Sequence, residues 1–143
     1  TLDHLKEPAK AMSDYYNETG DWDGAKAMGK EHGIRSPYMA SAIVSHADMD
    51  PTFDEDLTCL AIGDSIAFAT APNELFDSTG VFIEKNSPFD KTIVLGYTNG
   101  QRGYVPSQLA YDYTCYESDT TRFAPGTAEQ IADHLLRMLE QLK

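Results

Sequence analysis

The chain has 143 residues, of which 41% are hydrophobic, and a formal net charge of −12 at pH 7. This length suits one domain with its own core, since about 100 to 150 residues is the commonest domain size. The acidity argues against nucleic acid or an anionic membrane surface as a partner, because such contacts need a basic face.

The first part of the chain predicts helices. Apolar residues recur at steps of three and four over 2–16, which is the period of an amphipathic helix. A second helix is predicted to start near Asp21 or Asp23, either of which can cap it, and to end by Gly33. A third helix is predicted at 36–45, with Ser36 as its cap and a proline at its first position. The acidic, turn-rich stretch 48–56 predicts a solvated linker. Residues 1–56 are therefore interpreted as a helical segment with a linker.

The middle of the chain predicts a β-hairpin that is joined to further strands. Two β-rich runs within 57–71 are separated by Gly63 and Asp64, a favoured hairpin turn. A helix is predicted at 72–85 and a further strand at 92–98, because the apolar period changes between these stretches.

The last part predicts a helical turn at 108–112, a short strand at 113–117 and a C-terminal helix from Thr127, where a capping box begins. The predicted fold class is therefore α/β: a layered domain with N-terminal helices, a β-hairpin joined to further strands in a mixed sheet, and a C-terminal helix. Residues 57–143 are expected to form its α/β portion as one compact unit.

Three features of the sequence indicate in which cellular location and in what form the protein could occur: its cysteines, its apolar runs and its first residue. Cys59 and Cys115 are too few for a disulfide framework, and no motif indicates a self-contained zinc site. No apolar run approaches the roughly 18 residues of a membrane span, so we expect no transmembrane segment. The chain starts at Thr1 without an initiator Met, so we expect a fragment of a longer, soluble protein. Both a cytoplasmic and a secreted location stay open.

Glu74 is the best functional lead in the sequence. This lone carboxylate follows a predicted buried strand and falls in the first turn of the predicted helix, a common place for functional acidic groups in α/β enzymes. Strand 92–98 runs into the polar loop 99–106, and the ends of two strands of one sheet can face one cleft. The alternative is a carboxylate that only stabilises the start of a helix.

Five short segments follow one another through the second half of the chain. They are Ile-Gly-Asp at 62–64, Pro-x-Glu-x-Phe at 72–76, Asn-Gly-x-x-Gly-Tyr-x-Pro at 99–106, Tyr111 with Tyr116-Glu117, and Arg-Phe-Ala-Pro-Gly at 122–126. Together they resemble the later part of the catalytic domain of the neutral, non-lysosomal ceramidases and their bacterial relatives. The resemblance covers about residues 57–143.

The resemblance implies a reaction and a metal. Members of the family hydrolyse the fatty-acyl amide of a sphingolipid, with one zinc ion held by two histidines, a glutamate and a tyrosine, and with a serine beside it. The glutamate falls on Glu74, which is therefore the expected zinc ligand, and Asn73 stands where the family has a glycine. The histidines and the serine lie upstream in the family. The resemblance thus implies that this chain is inactive alone and needs the upstream half of the same protein as a partner.

The loop and the tyrosines complete the set of candidate residues that the resemblance implies. The family's tyrosine ligand falls on Gln101, which leaves three alternatives: water takes its place, Tyr104 substitutes for it, or the metal site is degenerate. Asn99 and Gln101 are expected to bind substrate. Tyr111 matches a tyrosine near the reacting carbonyl, where a phenol can donate to an oxyanion, so Tyr104 and Tyr111 are the catalytic candidates.

The sequence therefore predicts the C-terminal portion of a ceramidase-like zinc amidohydrolase, which acts on an N-acyl amide bond of a lipid-like substrate. Activity stays open at this point because Gln101 replaces a ligand of the family. The alternative is a non-catalytic binding or assembly module of the same fold that has lost its metal site.

Overall fold

A computed structural model describes residues 3–113 and 115–143. Within them the secondary-structure elements are, in chain order, α1 (Lys6–Thr19), α2 (Trp22–Gly29), α3 (Pro37–His46), β1 (Thr58–Ile62), β2 (Ile66–Thr70), β3 (Glu74–Leu75), α4 (Asp77–Asn86), β4 (Lys91–Leu95), β5 (Tyr104–Val105), α5 (Tyr116–Thr120) and α6 (Thr127–Leu142). Short 3-10 turns lie at Asp3–Leu5, Lys30–His32 and Gln108–Tyr111. The predicted α/β class, with N-terminal helices, a mixed sheet and a C-terminal helix, is confirmed.

The described residues fall into two compact units. One contains 3–52 with 115–122, and the other contains 53–113 with 123–143. The sequence predicted that the α/β portion begins at residue 57, after the helical segment and its linker. It did not indicate that a segment beyond residue 113 would belong with the N-terminal helices.

The first unit consists of helices that pack through small and apolar side chains. Its core contains Ala9, Met12, Ala25, Ile34, Ala40 and Ile43. The predicted Ser36 cap is confirmed, since its hydroxyl accepts from the Met39 N–H at 3.1 Å. Of the two candidates for the cap of α2, Asp21 and Asp23, it is Asp21 whose carboxylate accepts from the Gly24 backbone N–H, at 3.0 Å. Both side chains satisfy N–H groups that the first helical turn leaves without a partner.

Residues 116–120 form helix α5, so the strand predicted for 113–117 is wrong; Thr114 of that prediction lies outside the described residues. The carboxylate of Asp119, which is only 4% exposed, accepts hydrogen bonds from Arg35 at 2.8 Å and from the Ser36 hydroxyl. A buried carboxylate needs such partners, and the alternation of residue types in the sequence does not reveal them.

A three-stranded sheet forms the centre of the second unit, in the order β1-β2-β4. The predicted hairpin is confirmed, since β1 and β2 pair antiparallel, with Leu60 opposite Phe68. Strands β2 and β4 pair in parallel, with Ala69 opposite Val94. Their carboxyl ends therefore lie at the same edge of the sheet.

Helix α6 begins and packs as an amphipathic helix, but its predicted capping box is wrong. The cap residue is Gly126, and the Thr127 hydroxyl donates to the Ala124 carbonyl at 2.8 Å. No side chain donates or accepts a capping hydrogen bond there, and the Glu129 carboxylate accepts from the backbone N–H of Gln108 at 2.8 Å. Leu135 on the apolar stripe of α6 is fully buried in the core of the unit.

The two faces of the sheet differ in their cover. Helices α4 and α6 pack on the face that carries Ala67, Ala69 and Val94. The opposite face leaves large apolar side chains exposed; these are Leu60 and Ile62 at 58%, Leu95 at 40% and Ile66 at 39%. None of the helices in the described part of the chain is long and apolar enough to cross a membrane.

Candidate functional site

Glu74 lies in strand β3, so its predicted place in the first turn of a helix is wrong. β3 pairs in parallel with β5, and the register places Glu74 opposite Tyr104. The backbone N–H of Glu74 donates to the Gly103 carbonyl at 2.9 Å. This pairing gives Glu74 an extended backbone, and α4 begins only at Asp77.

The loop after β4 is held against the segment that leads into β3 by backbone hydrogen bonds. The N–H groups of Tyr97 and Arg102 donate to the carbonyls of Asn73 and Pro72 at 3.1 and 2.7 Å. Gly96 permits this approach, because a Cβ there would lie 2.7 Å from the Asn73 carbonyl oxygen. The ends of β2 and β4 therefore form one continuous edge.

Two non-glycine residues of this loop adopt left-handed backbone conformations. Tyr97 has a φ of 52° and Asn99 a φ of 63°. Asn tolerates this region, whereas it is uncommon for an aromatic residue. The exposed Asn99 thus has a conformational role in the turn, and its substrate-binding role stays a prediction.

Four side chains interact beside this edge: Glu74, Tyr97, Gln101 and Tyr104. A hydrogen bond with the Glu74 carboxylate raises the pKa of Tyr97, assisted by desolvation and by the charges of Glu74 and Tyr104, and a hydrogen bond with Gln101 opposes the shift. The structure therefore brings the predicted metal ligand together with two of the predicted loop residues. The sequence analysis did not identify Tyr97 as a site residue, because it is one of several tyrosines close together in the sequence that were interpreted as packing residues.

An open cleft of about 460 Å³ lies between β3, α4 and the end of β4. Its lining includes Asn73, Glu74, Asp77, Glu84 and Tyr97. A larger cavity of about 600 Å³ is lined by Phe82, Leu109, Asp133 and others, and none of the predicted site residues lines it. The smaller cleft is therefore the better candidate for the site.

Tyr111 makes a structural contact. Its hydroxyl donates to the backbone carbonyl of Phe123 at 2.9 Å and so joins the 3-10 turn to the segment before α6. The predicted role of Tyr111 as an oxyanion donor stays a prediction.

Part of the acidic connector contacts the site region, in contrast to the predicted solvated linker. The Glu55 carboxylate accepts from the Asn73 side-chain amide at 2.9 Å, and Asn73 is fully buried. The Phe53 ring lies 5.5 Å from the Arg102 guanidinium carbon and 5.5 Å from the Phe123 ring centroid. Residues 53 and 55 therefore help to hold the segment that carries Glu74.

Within residues 3–113 and 115–143, no group of three or more His, Cys, Asp or Glu side chains is arranged to hold a metal ion. The half-buried His46 belongs to the helical unit, where burial, with a contribution from Arg122, lowers its pKa. The role of Glu74 as a zinc ligand therefore stays a prediction.

Comparison with family models, with curated proteins and with solved structures found no match to this chain. The resemblance to ceramidases therefore stays a prediction from the sequence.

Proposed function

We propose that the chain is the C-terminal portion of a ceramidase-like zinc amidohydrolase, which hydrolyses an N-acyl amide bond together with an upstream half. The parallel pairing of β3 with β5 carries this proposal. It places Glu74 opposite Tyr104 and so joins the two segments, 72–76 and 99–106, that supply the implied metal ligand and the loop.

The environment of Glu74 suits a ligand to catalytic zinc. A carboxylate is an ordinary third protein ligand of such a metal, and its orientation is usually fixed by an outer hydrogen bond. Tyr97 supplies such a bond to Glu74, and this hydrogen bond raises the pKa of Tyr97. When bound, zinc supplies polarisation of the amide carbonyl and acidification of the nucleophile. Gln101 and Tyr104 lie beside this pair as polar groups that can orient the substrate.

The exposed apolar side chains on the uncovered face of the sheet support the proposal that an upstream half of the protein packs there. Leu60 and Ile62 on the edge strand β1 are each 58% exposed. On the same face Ile66 of β2 and Leu95 of β4 are also exposed, although parallel strands such as β2 and β4 are usually buried on both faces. A further layer of the same protein would remove these side chains from water. The proposal therefore assigns this face to the contact with the upstream half.

The experiment is Glu74→Ala in the intact parent protein, with Glu140→Ala, an exposed carboxylate of α6, as the matched control. We expect Glu74→Ala to lose bound zinc and amide hydrolysis while its circular dichroism stays that of the parent. Glu140→Ala should keep both properties. Full zinc occupancy and activity in Glu74→Ala would reject the role of Glu74.

A second candidate is a non-catalytic binding or assembly module, favoured by Gln101 at the position of the family's tyrosine ligand. An amide oxygen is a weaker zinc ligand than a phenolate. If the parent lacks zinc and Gln101→Tyr restores binding, the metal site has degenerated and the second candidate holds. Tight zinc and measurable hydrolysis in the unmodified parent would exclude it.

A further inference from the structure

We propose that a basic cleft in the helical unit binds the phosphate group of a small organic phosphate monoester. The cleft has a volume of about 430 Å³ and lies at the end of α2, beside the 3-10 turn that follows and the segment before α3. Its described lining consists of Lys26, Ala27, Lys30, Gly33, Ile34 and Arg35. Glu74 belongs to the other unit, so binding here does not depend on the proposed hydrolysis.

The charge of this cleft is opposite to that of the chain. The chain has 23 acidic and 11 basic residues. Three of the six lining residues are nevertheless basic, and none of the described residues that line the cleft is acidic. A concave patch of one sign concentrates ions of the other sign. The cleft therefore attracts anions that the rest of the chain repels.

Two lysines provide positive charge that no carboxylate of the described residues pairs with. Lys26 and Lys30 are four residues apart, a spacing that places like charges side by side and costs stability. Neither takes part in a salt bridge among the described residues, although Asp23 lies three residues before Lys26. The end of a helix stabilises nearby cations, which explains why the fold tolerates the two charges. An anion with two negative charges would balance both.

Arg35 forms a wall of the cleft that the interior of the unit holds in place. Its guanidinium donates to the Asp119 carboxylate at 2.8 Å, and the Asp119 side chain is only 3% exposed. The Ser36 hydroxyl donates to the same carboxylate. Asp119 therefore fixes the guanidinium and offsets its charge. The net positive charge that a ligand meets comes from Lys26 and Lys30, and lysine is a common phosphate ligand.

The rest of the lining leaves room for a small organic group. Ala27 and Ile34 are apolar, and Gly33 has a φ of 71° with no atom within 4 Å of the place where a Cβ would stand. The volume is within the range of small-molecule sites. A phosphate monoester carries nearly two negative charges near neutral pH and three strong acceptor oxygens, whereas an ammonium group only donates. The ligand class thus matches the charge, the donors and the size of the cleft.

The test compares two probes of nearly equal shape on the full 143-residue chain. Phenyl phosphate is a dianion at about pH 8, and phenyl sulfate is a monoanion. We expect phenyl phosphate to shift the backbone amide signals of residues 26–35 in an NMR titration and to bind about fivefold more tightly than phenyl sulfate, as one more ion pair at a surface gives. Equal binding of the two probes, or no shift at 26–35 with about 10 mM phenyl phosphate, would overturn the proposal.

Three lysine variants separate the cleft from general attraction of anions. Lys26→Gln and Lys30→Gln each remove one charge from the lining, whereas the control Lys85→Gln removes an exposed charge of α4 that does not line the cleft. Each of the first two should weaken phenyl phosphate about fivefold, and the control should leave its affinity unchanged. All three variants should keep the circular dichroism of the parent chain, because each replaces an exposed side chain. Equal weakening in the three variants, or none in the first two, would overturn the proposal.

Discussion

The two faces of the β1-β2-β4 sheet carry opposite kinds of side chain. The covered face uses small residues, with Ala67, Ala69 and Ala71 fully buried beneath α4 and α6. The uncovered face has larger residues such as Leu60 and Ile62, which stay exposed. Small residues let a helix approach a sheet closely, whereas large apolar residues stabilise a fold only when another layer covers them. The comparison shows that α4 and α6 cover one face of the sheet, whereas the other face leaves large apolar side chains exposed.

The largest expected difference between the faces concerns leucine truncation. Leu135→Ala, which removes a fully buried side chain beneath the covered face, should lower the free energy of unfolding by about 2 to 5 kcal/mol. Leu60→Ala on the uncovered face should change it by less than about 0.5 kcal/mol. Urea unfolding followed by circular dichroism measures both values. Similar losses in the two variants would show that the exposed face is covered in solution.

A smaller effect is expected from added volume. Ala69→Leu inserts methyl groups into the packed layer beneath α6 and should cost about 1 to 3 kcal/mol, because an overpacked core forces side chains from their preferred rotamers. Thr58→Leu at an exposed position of β1 is the control and should stay within about 0.5 kcal/mol. The unfolding temperature of each variant measures the effect. An unfolding temperature of Ala69→Leu equal to that of the unmodified chain would contradict the close packing of that face.

Much of the sheet could be predicted from residue types along the chain. Gly63 and Asp64 between two β-rich runs indicate a hairpin, and the apolar stripe that contains Leu135 indicates the C-terminal helix. The helix α5 could not be predicted in this way, because the buried partners of Asp119 come from Arg35 and Ser36, more than 80 residues earlier. Local pattern does not contain such distant contacts.

The candidate site was predictable in part. Glu74 and the loop at 99–106 could be identified because both follow predicted strands, and the parallel pairing of β2 with β4 explains why they meet. The strand conformation of Glu74 depends on β5, thirty residues later, and was missed. Tyr97 and the Glu55–Asn73 contact were also missed, since no motif distinguishes them from packing residues or a linker.

Thiol reactivity gives a third comparison of the faces. Burial raises the pKa of the Cys59 thiol, so it holds less thiolate at a given pH than an exposed thiol, and the thiolate is the reactive form. Both proteins compared carry Cys115→Ser, and the second also carries Leu60→Cys and Cys59→Ser. The Cys59 thiol of the first should react with a maleimide more slowly, on the order of tenfold, than the thiol at position 60 of the second. The rate of Cys59 should also level off at a higher pH. Equal rates and equal pH profiles would contradict the assigned faces.

The smallest expected effect lies at the edge where the strands end. Because the hydrogen bond and charge of Glu74 raise the pKa of Tyr97, Glu74→Gln should lower that pKa toward its ordinary value. A pH titration of tyrosinate absorbance, with a Tyr97→Phe variant to identify the signal, measures the change. A Glu84→Gln control should leave the Tyr97 titration close to that of the parent chain. An unchanged titration in Glu74→Gln would show that the two side chains do not interact.

The most direct test of the central claim, that this chain is one half of a zinc amidohydrolase, is to determine the reading frame upstream of Thr1. We expect two histidine segments and a serine motif of the ceramidase type in that frame, together with an apolar element that can cover Leu60 and Ile62. A start codon or an unrelated domain immediately upstream would contradict the catalytic proposal and leave the binding module in its place.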